Sequence, residues 1–335
     1  MTQKIATLTR VRIENYRCLR EVDVPLAPLT VLIGPNDSGK STFLGALERL
    51  GQAARSKWDG TSWLGDPSAQ PSILGELSSG ESRAIGGDQH VHPPPGSVLL
   101  PRAHSGPKVG GGTYFDLAPS RLPQESGGHG DKRGVPKLDE VGGGAAALLD
   151  YLLRRDRERF DAYVAAARAQ IPGLKDLRIA TPEPEKRRID LVTEKGFEVP
   201  PAHQSAGVRL MLFMLALAFH PSPPGLVLID EPENGIHPRR LKEVISLLRQ
   251  LSRGEHGDHN AQVVLSTHSP YLLDHIDPEQ DQVLVFRRNE EDGSRTAEPV
   301  DPERVRGFLD EFMLGEVWFN QEESALVARR TESKG

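Results

Sequence analysis

The chain has 335 residues, 37% hydrophobic and 26% charged, the balance of a globular protein long enough to bury a sizeable core. Its 41 lysines and arginines against 47 acids leave a formal net charge of −6, so it lacks the overall basic footprint of a dedicated nucleic-acid binder. The lone Cys18 rules out an internal disulfide and a cysteine-rich zinc site. No apolar run nears the roughly 18 residues of a membrane span and no signal-peptide core opens the chain, so no membrane contact and a cytoplasmic location are expected.

Residues 5–32 alternate apolar and polar positions through Leu8, Val11, Ile13, Val22, Val24 and Leu26, which predicts strands, with Cys18 a packing thiol in a strand-like segment. An apolar strand then runs into Gly34-x-x-x-x-Gly39-Lys40-Ser41, followed by an amphipathic helix through Leu44, Leu47 and Leu50 that ends near Gly51. Residues 59–145 are crowded with Gly, Pro and Ser and read as a loop-rich insertion, with short strands only over 72–77, 97–100 and 113–117. His90, His92, His104 and His129 fall there, at spacings that fit no metal-ligand set.

From Val141 the spacing is helical through Leu148, Leu149, Leu152, Leu153, Phe160, Tyr163, Val164 and Ala167, stopped by Pro172-Gly173. Strands follow over 177–180 and 189–192. Two basic spots, Arg154 to Arg159 and Lys186 to Arg188, are the places where DNA could be touched. A helix over 210–219 is apolar nearly all round and is expected to be buried. Four aliphatics end in Asp230-Glu231, the pattern of a buried parallel strand. Pro238 opens an amphipathic helix closed by Gly254, and another buried strand over 262–266 ends at Thr267-His268-Ser269-Pro270. A hairpin across Asp292-Gly293 and a final helix from Asp301-Pro302 complete the chain.

The alternation predicts an α/β fold, a mainly parallel sheet flanked by helices, with an antiparallel β subdomain and the loop-rich insertion. The expected division is 1–58 and 201–335 as the two parts of one catalytic core, 59–145 as the insertion and 146–200 as a helical and strand arm. The ligand site belongs beyond the carboxyl ends of the strands.

Gly34, Pro35, Asn36, Asp37, Ser38, Gly39, Lys40, Ser41 and Thr42 form a P-loop between strand and helix. Its glycines let backbone N–H groups curl round phosphates, Lys40 is placed to reach the β- and γ-phosphates, and the Ser41 hydroxyl is a Mg²⁺ ligand. Asp230 at a strand end is the second Mg²⁺ residue, and Glu231 beside it can polarise the attacking water. ATP and Mg²⁺ are therefore the expected ligands.

In the order Gly34 to Ser41, Ser205-Ala206-Gly207, Asp230-Glu231-Pro232-Glu233 and Thr267-His268-Ser269-Pro270, the sequence resembles the ABC-type ATPase head of the RecF, SMC and OLD-like branch, within the AAA family ATPases. Ile13 to Arg17 resembles the opening found in that branch. The resemblance implies that Arg17 approaches the nucleotide, that Ser205 and Gly207 form the signature element that binds the γ-phosphate held by a second protomer, and that His268 joins Lys40 and Glu231 as a catalytic residue, contacting the γ-phosphate. Gln204 to Val208 departs from the Leu-Ser-Gly-Gly-Gln of transporters, and His237 stands at the D-loop aspartate position. Gln124 is assigned to the Q-loop on order alone.

The expected function is an ATP-hydrolysing switch that dimerises around ATP and acts on a DNA-linked process or a separate effector such as a nuclease, in bacterial defence or DNA repair. The alternatives are a non-hydrolysing nucleotide-dependent scaffold and the ATPase subunit of a transporter. Neither a coiled coil nor a TOPRIM domain is expected in the chain.

Overall fold

A five-residue run of four aliphatics and one threonine has almost nothing polar to offer water, so it must be covered on both sides. All five residues of Leu29–Ile33 are buried in a computed structural model of the chain, which describes residues 5–51, 66, 68–86, 98–99, 112–118, 121–127, 134–309, 313–320 and 326–327. His90, His92, His104 and His129 lie outside the described residues.

In chain order, β1 (Leu8–Tyr16), β2 (Leu19–Pro25) and β3 (Leu29–Ile33) lead into α1 (Lys40–Gly51). The insertion contributes β4 (Ser72–Leu77), β5 (Glu81–Gly86), β6 (Val98–Leu99), β7 (Gly112–Phe115) and β8 (Ser126–Gly127). Then come α2 (Ala145–Arg155), α3 (Arg157–Gln170), β9 (Leu174–Ala180), β10 (Lys186–Thr193), β11 (Glu198–Val199) and α4 (Ala206–Ala218). The last third holds β12 (Leu226–Asp230), α5 (Leu241–Arg253), β13 (Gln262–Ser266), α6 (Pro270–Leu273), β14 (Gln282–Arg288), β15 (Arg295–Pro299), α7 (Pro302–Leu309) and α8 (Leu314–Asn320).

The described residues fold as two compact units: those of Ile5–Tyr114, Pro224–Glu231 and Gln262–Gly335 form one, and those of Phe115–Pro223 and Pro232–Ala261 the other. In the first, an 11-stranded sheet runs β6-β5-β4-β1-β2-β15-β14-β3-β13-β12-β7. Its centre, β14-β3-β13-β12, is parallel, whereas β1, β2, β4 and β5 pair antiparallel and continue the same sheet. These strands are an antiparallel wing of the parallel sheet, and the expected antiparallel β subdomain is the separate sheet around β10 in the second unit.

Helix α1 lays Phe43, Leu44, Leu47 and Leu50 into that core, at the three- and four-residue spacing of one helix face. Phe43 meets Phe286 of β14 edge to face, ring centres 5.4 Å apart; burying such a side chain stabilises by roughly 1.5–3 kcal/mol. Gln262, almost fully buried, accepts from Leu8 N (2.8 Å) and donates to Leu8 O (2.7 Å) and Ala27 O (3.1 Å), so its amide satisfies backbone groups that would otherwise be orphaned. Cys18 is on the turn between β1 and β2, half-buried, its thiol 3.4 Å from the Thr42 hydroxyl; it is a turn residue and not a strand one, next to the left-handed Arg17.

In the second unit, α2, α3 and α5 surround α4, whose residues from Leu210 onward are all buried. Tyr163 is fully buried, donates to Leu212 O at 2.7 Å and meets Phe219 edge to face; burial pushes its phenol pKa up. Beside the helices β10 pairs antiparallel with β9, β11 and β8. The single helical stretch expected from Val141 starts only at Ala145, after the left-handed Gly142 and Gly144, and breaks at Asp156, whose side chain accepts from Arg159 N and caps α3. Helix α7 is not the last helix, because α8 follows it. Among the described residues no helix is long and apolar enough to cross a membrane.

Candidate nucleotide site

The three parallel strands β3, β13 and β12 end side by side, in register Ile229 with Leu265, Asp230 with Ser266 and Ser266 with Leu32. Each strand end hands its chain to a loop there, and these loops carry the residues singled out from the sequence.

After β3 the loop turns at Gly34, whose φ of 140° is closed to other residues in practice, and a Cβ there would sit 2.2 Å from Phe286 O. Lys40 begins α1 almost fully buried, folded back so that its ammonium donates to Gly34 O and Pro35 O, both at 2.9 Å, and to Ser38 Oγ at 3.5 Å. A cation is thereby held inside the curl of the loop, where phosphate oxygens would replace carbonyls. Asp37 stands at the loop's outer turn with φ 60°.

Ser41 Oγ donates to Asp230 Oδ2 at 3.0 Å, joining residues far apart in sequence. The same oxygen accepts from the Tyr114 hydroxyl at 2.8 Å, and Oδ1 accepts from the Ser266 hydroxyl. Among the described residues no group of three His, Cys, Asp or Glu could cage a metal. The Ser41 and Asp230 oxygens still suit Mg²⁺, which keeps several waters and takes one or two protein oxygens beside the substrate phosphates.

Glu231 follows in a left-handed conformation, φ 48°, its N–H shared between Ser266 O and Ser266 Oγ, both at 3.2 Å. That turn sends its carboxylate toward His268, where Glu231 Oε1 and His268 Nε2 are 3.4 Å apart. Burial and then the charge of Lys40 push the His268 pKa down, against Glu231 and Asp230, which raise it. The imidazole is thus biased to its neutral form at neutral pH.

Arg17 also has positive φ, 54°, and lays its guanidinium 5.3 Å from the Tyr16 ring centre. Ser205 and Gly207 belong to the helical unit. Ser205 caps α4, its hydroxyl accepting from Val208 N at 3.3 Å, and Gly207 lies so close to the Gly235 carbonyl that a Cβ would approach it to 2.7 Å. His237 accepts from Arg239 N in the short turn before α5. Gln124 is exposed, in a cavity lined also by Leu122, Gln204 and Arg209. Tyr114, whose hydroxyl donates to Asp230, was not singled out from the sequence.

Sequence reasoning also missed Arg295, at the start of β15. Almost fully buried, it donates Nε–H to Asp37 O at 2.6 Å, pairs with the Asp37 carboxylate and donates to Gly293 O, while its stem packs under Gly39, 3.1 Å from where a Cβ would stand. The two basic spots are largely neutralised within the chain. Arg154, Arg157 and Arg159 pair with Asp150, Asp161 and Asp156, and Lys186, Arg187 and Arg188 with Glu183, Asp150 and Asp190.

The fold is similar to solved SMC heads. It matches the SmcHead bound to the C-winged helix domain of ScpA at a TM-score of 0.57 and 14% identity, over 90% of this chain and 99% of that one. It matches the Smc head domain with an extended coiled coil, bound to the C-terminal domain of ScpA derived from Pyrococcus furiosus, at 0.52 and 12%, over 92% and 99%. A stretch of 41 residues is 49% identical to the OLD nuclease of Thermus scotoductus, spanning 12% of this chain and only 8% of that protein. The profile of the family described as "AAA ATPase domain" matches residues 7–74, which hold the P-loop. A further profile matches residues 99–274, through Asp230, Glu231 and His268. The protein, whose fold is similar to that of the SMC heads and which shares a short stretch with an OLD nuclease, belongs to the family of that second profile, "AAA domain, putative AbiEii toxin, Type IV TA system", which covers just over half of the chain, and is an ATPase of the ABC class.

Proposed function

We propose that the chain binds ATP with Mg²⁺ at the ends of β3, β12 and β13, hydrolyses it there, and uses the cycle to switch its own association and a separate effector. The observation that carries this reading is the meeting of Ser41 with Asp230, 3.0 Å, beside Glu231 and His268, 3.4 Å: a phosphate-binding loop, a cation-binding oxygen pair and a base stand together.

The loop 34–42 holds the triphosphate, with the Lys40 ammonium on its β- and γ-oxygens, and Arg17 approaches from the β1–β2 turn. Ser41 and Asp230 hold Mg²⁺, which when bound neutralises charge on the phosphates. Glu231 accepts the proton of the attacking water. Neutral His268 presents its imidazole to the γ-phosphate and, against Glu231, holds that carboxylate in place. Ser205 and Gly207, at the N-terminus of α4, offer a hydroxyl and helix amides to the γ-phosphate held by a second copy.

The effector reading draws on two relatives. One solved SMC head is bound to a ScpA domain, and the nuclease of Thermus scotoductus shares a stretch with this chain. A partner protein, a nuclease in particular, in a defence or repair process fits both. DNA contact is the weaker part, since the two basic spots spend their charge on neighbouring carboxylates.

Phosphate release, nucleotide binding and light scattering test the reading together. Lys40→Ala is expected to abolish ATP binding, whereas Glu231→Gln keeps binding, stops turnover and accumulates an ATP-dependent dimer that Ser205→Arg disperses. Normal turnover in Glu231→Gln would refute the base. A mass indifferent to ATP and to Ser205→Arg would refute the dimer.

A further inference from the structure

Asp230 is held by three hydroxyls, and they are not equivalent. Ser266 donates to Oδ1 and also accepts from Glu231 N–H, so it is anchored on its own strand end. Oδ2 takes two donors, Ser41 at 3.0 Å and Tyr114 at 2.8 Å. Ser41 is the residue whose oxygen a cation would claim, so its hydroxyl would serve the cation with a lone pair and Asp230 with its proton at once. Of the two donors on Oδ2, the phenol of Tyr114 is the one with no duty to the cation. We propose that Tyr114 is a positioning residue for the divalent cation: it fixes the Asp230 carboxylate so that Oδ2 presents its free lone pair beside Ser41, before and after the cation arrives.

The origin of the side chain supports this role. Tyr114 reaches Asp230 from β7, the strand next to β12 in the sheet, and its ring packs against the core of the sheet unit while only its hydroxyl reaches the polar site. A core tyrosine needs a partner for its hydroxyl, but one kept only for packing has no reason to find it on this carboxylate. Phenylalanine at 114 removes the hydroxyl and keeps the ring.

The proposal rests on the Mg²⁺-ATP reading above, so the experiment separates the two. Mn²⁺ binding to the ATP-loaded protein is followed by electron paramagnetic resonance, together with metal-free binding of a fluorescent ATP analogue, the Mg²⁺ dependence of phosphate release and thermal unfolding. For Tyr114→Phe the expected results are a roughly tenfold weaker Mn²⁺ affinity, the change that loss of one hydrogen bond to a carboxylate brings, and a matching rise in half-saturating Mg²⁺. A smaller change in kcat and metal-free nucleotide affinity within twofold of wild type complete the pattern. Unchanged Mn²⁺ affinity, or an equal loss of metal-free nucleotide binding, would overturn the role of Tyr114. Asp230→Asn tests the reading beneath it: if Asp230→Asn binds Mn²⁺ as wild type does, the cation is not held here at all.

Discussion

Arg295 clamps the P-loop from below, and its removal can be worked through in numbers. Arg295→Met keeps the stem that packs under Gly39 and deletes the guanidinium, with its bonds to Asp37 O, the Asp37 carboxylate and Gly293 O. The Asp37 carboxylate is 82% exposed, so that ion pair is screened and contributes about 0.2–1 kcal/mol. The bonds to the two carbonyls come from a charged donor that is almost fully buried, and contribute roughly 1.5 kcal/mol or more each. Folding stability is expected to fall by at least about 3 kcal/mol. Binding suffers separately. Asp37 sits at φ 60°, a conformation costing about 1–2 kcal/mol that the clamp imposes. Without it the loop relaxes and ATP must restore it, a loss of about tenfold in affinity. Titration calorimetry below the melting temperature reads the second effect free of the first. Arg295→Lys should recover little, because an ammonium cannot fork between a carbonyl and a carboxylate. An ATP affinity within twofold of wild type in Arg295→Met would refute the clamp as part of the nucleotide site.

Gly34→Ala drives a Cβ to 2.2 Å from Phe286 O in a conformation alanine avoids, so loss of measurable ATP binding and a melting temperature lower by several degrees are expected. His256 stacks on Phe219 with ring centres 4.1 Å apart, and burial, helped by Arg159, pushes its pKa down against Glu255. Its unfolded form therefore takes a proton first as pH falls below about 6.5. Stability should drop from there toward the lower folded pKa and be flat above pH 7, and denaturant melts of His256→Phe should show a shallower acid loss than wild type.

The nucleotide site was largely legible because its chemistry is written in short stretches. A P-loop needs glycines beside Lys40 and Ser41, and an acid pair after four aliphatics can hardly be anything but a strand end; the parallel sheet follows from the same runs. Arg295 and Tyr114 were not legible, since each reaches the site from a distant strand, and nothing local distinguishes a charged first residue of β15 from a solvent-facing one. Strand β5, Glu-Ser-Arg-Ala-Ile-Gly, lacks the alternation that marks a half-buried strand, and it is its pairing with β4 and β6 that orders it. The break between α2 and α3 passes unnoticed because neither Gly nor Pro marks it: Asp156 in a run of charges looks like helix surface until its cap is seen.

Among the described residues, only Asn15, Arg17, Asp37 and Glu231 place a side chain other than glycine at positive φ, and three of these four are residues assigned to the nucleotide from sequence. Each left-handed residue costs the folded state about 1–2 kcal/mol, so the protein gives up stability where it is to work. Laboratory selection for heat resistance alone would drift toward glycine or asparagine at positions 37 and 231, which suit that backbone better. At Glu231 the gain would erase the acid proposed above to activate water. A library enriched only by melting temperature should therefore fill with well-folded, catalytically silent chains, and selection must be coupled to turnover if thermal robustness is wanted without that outcome.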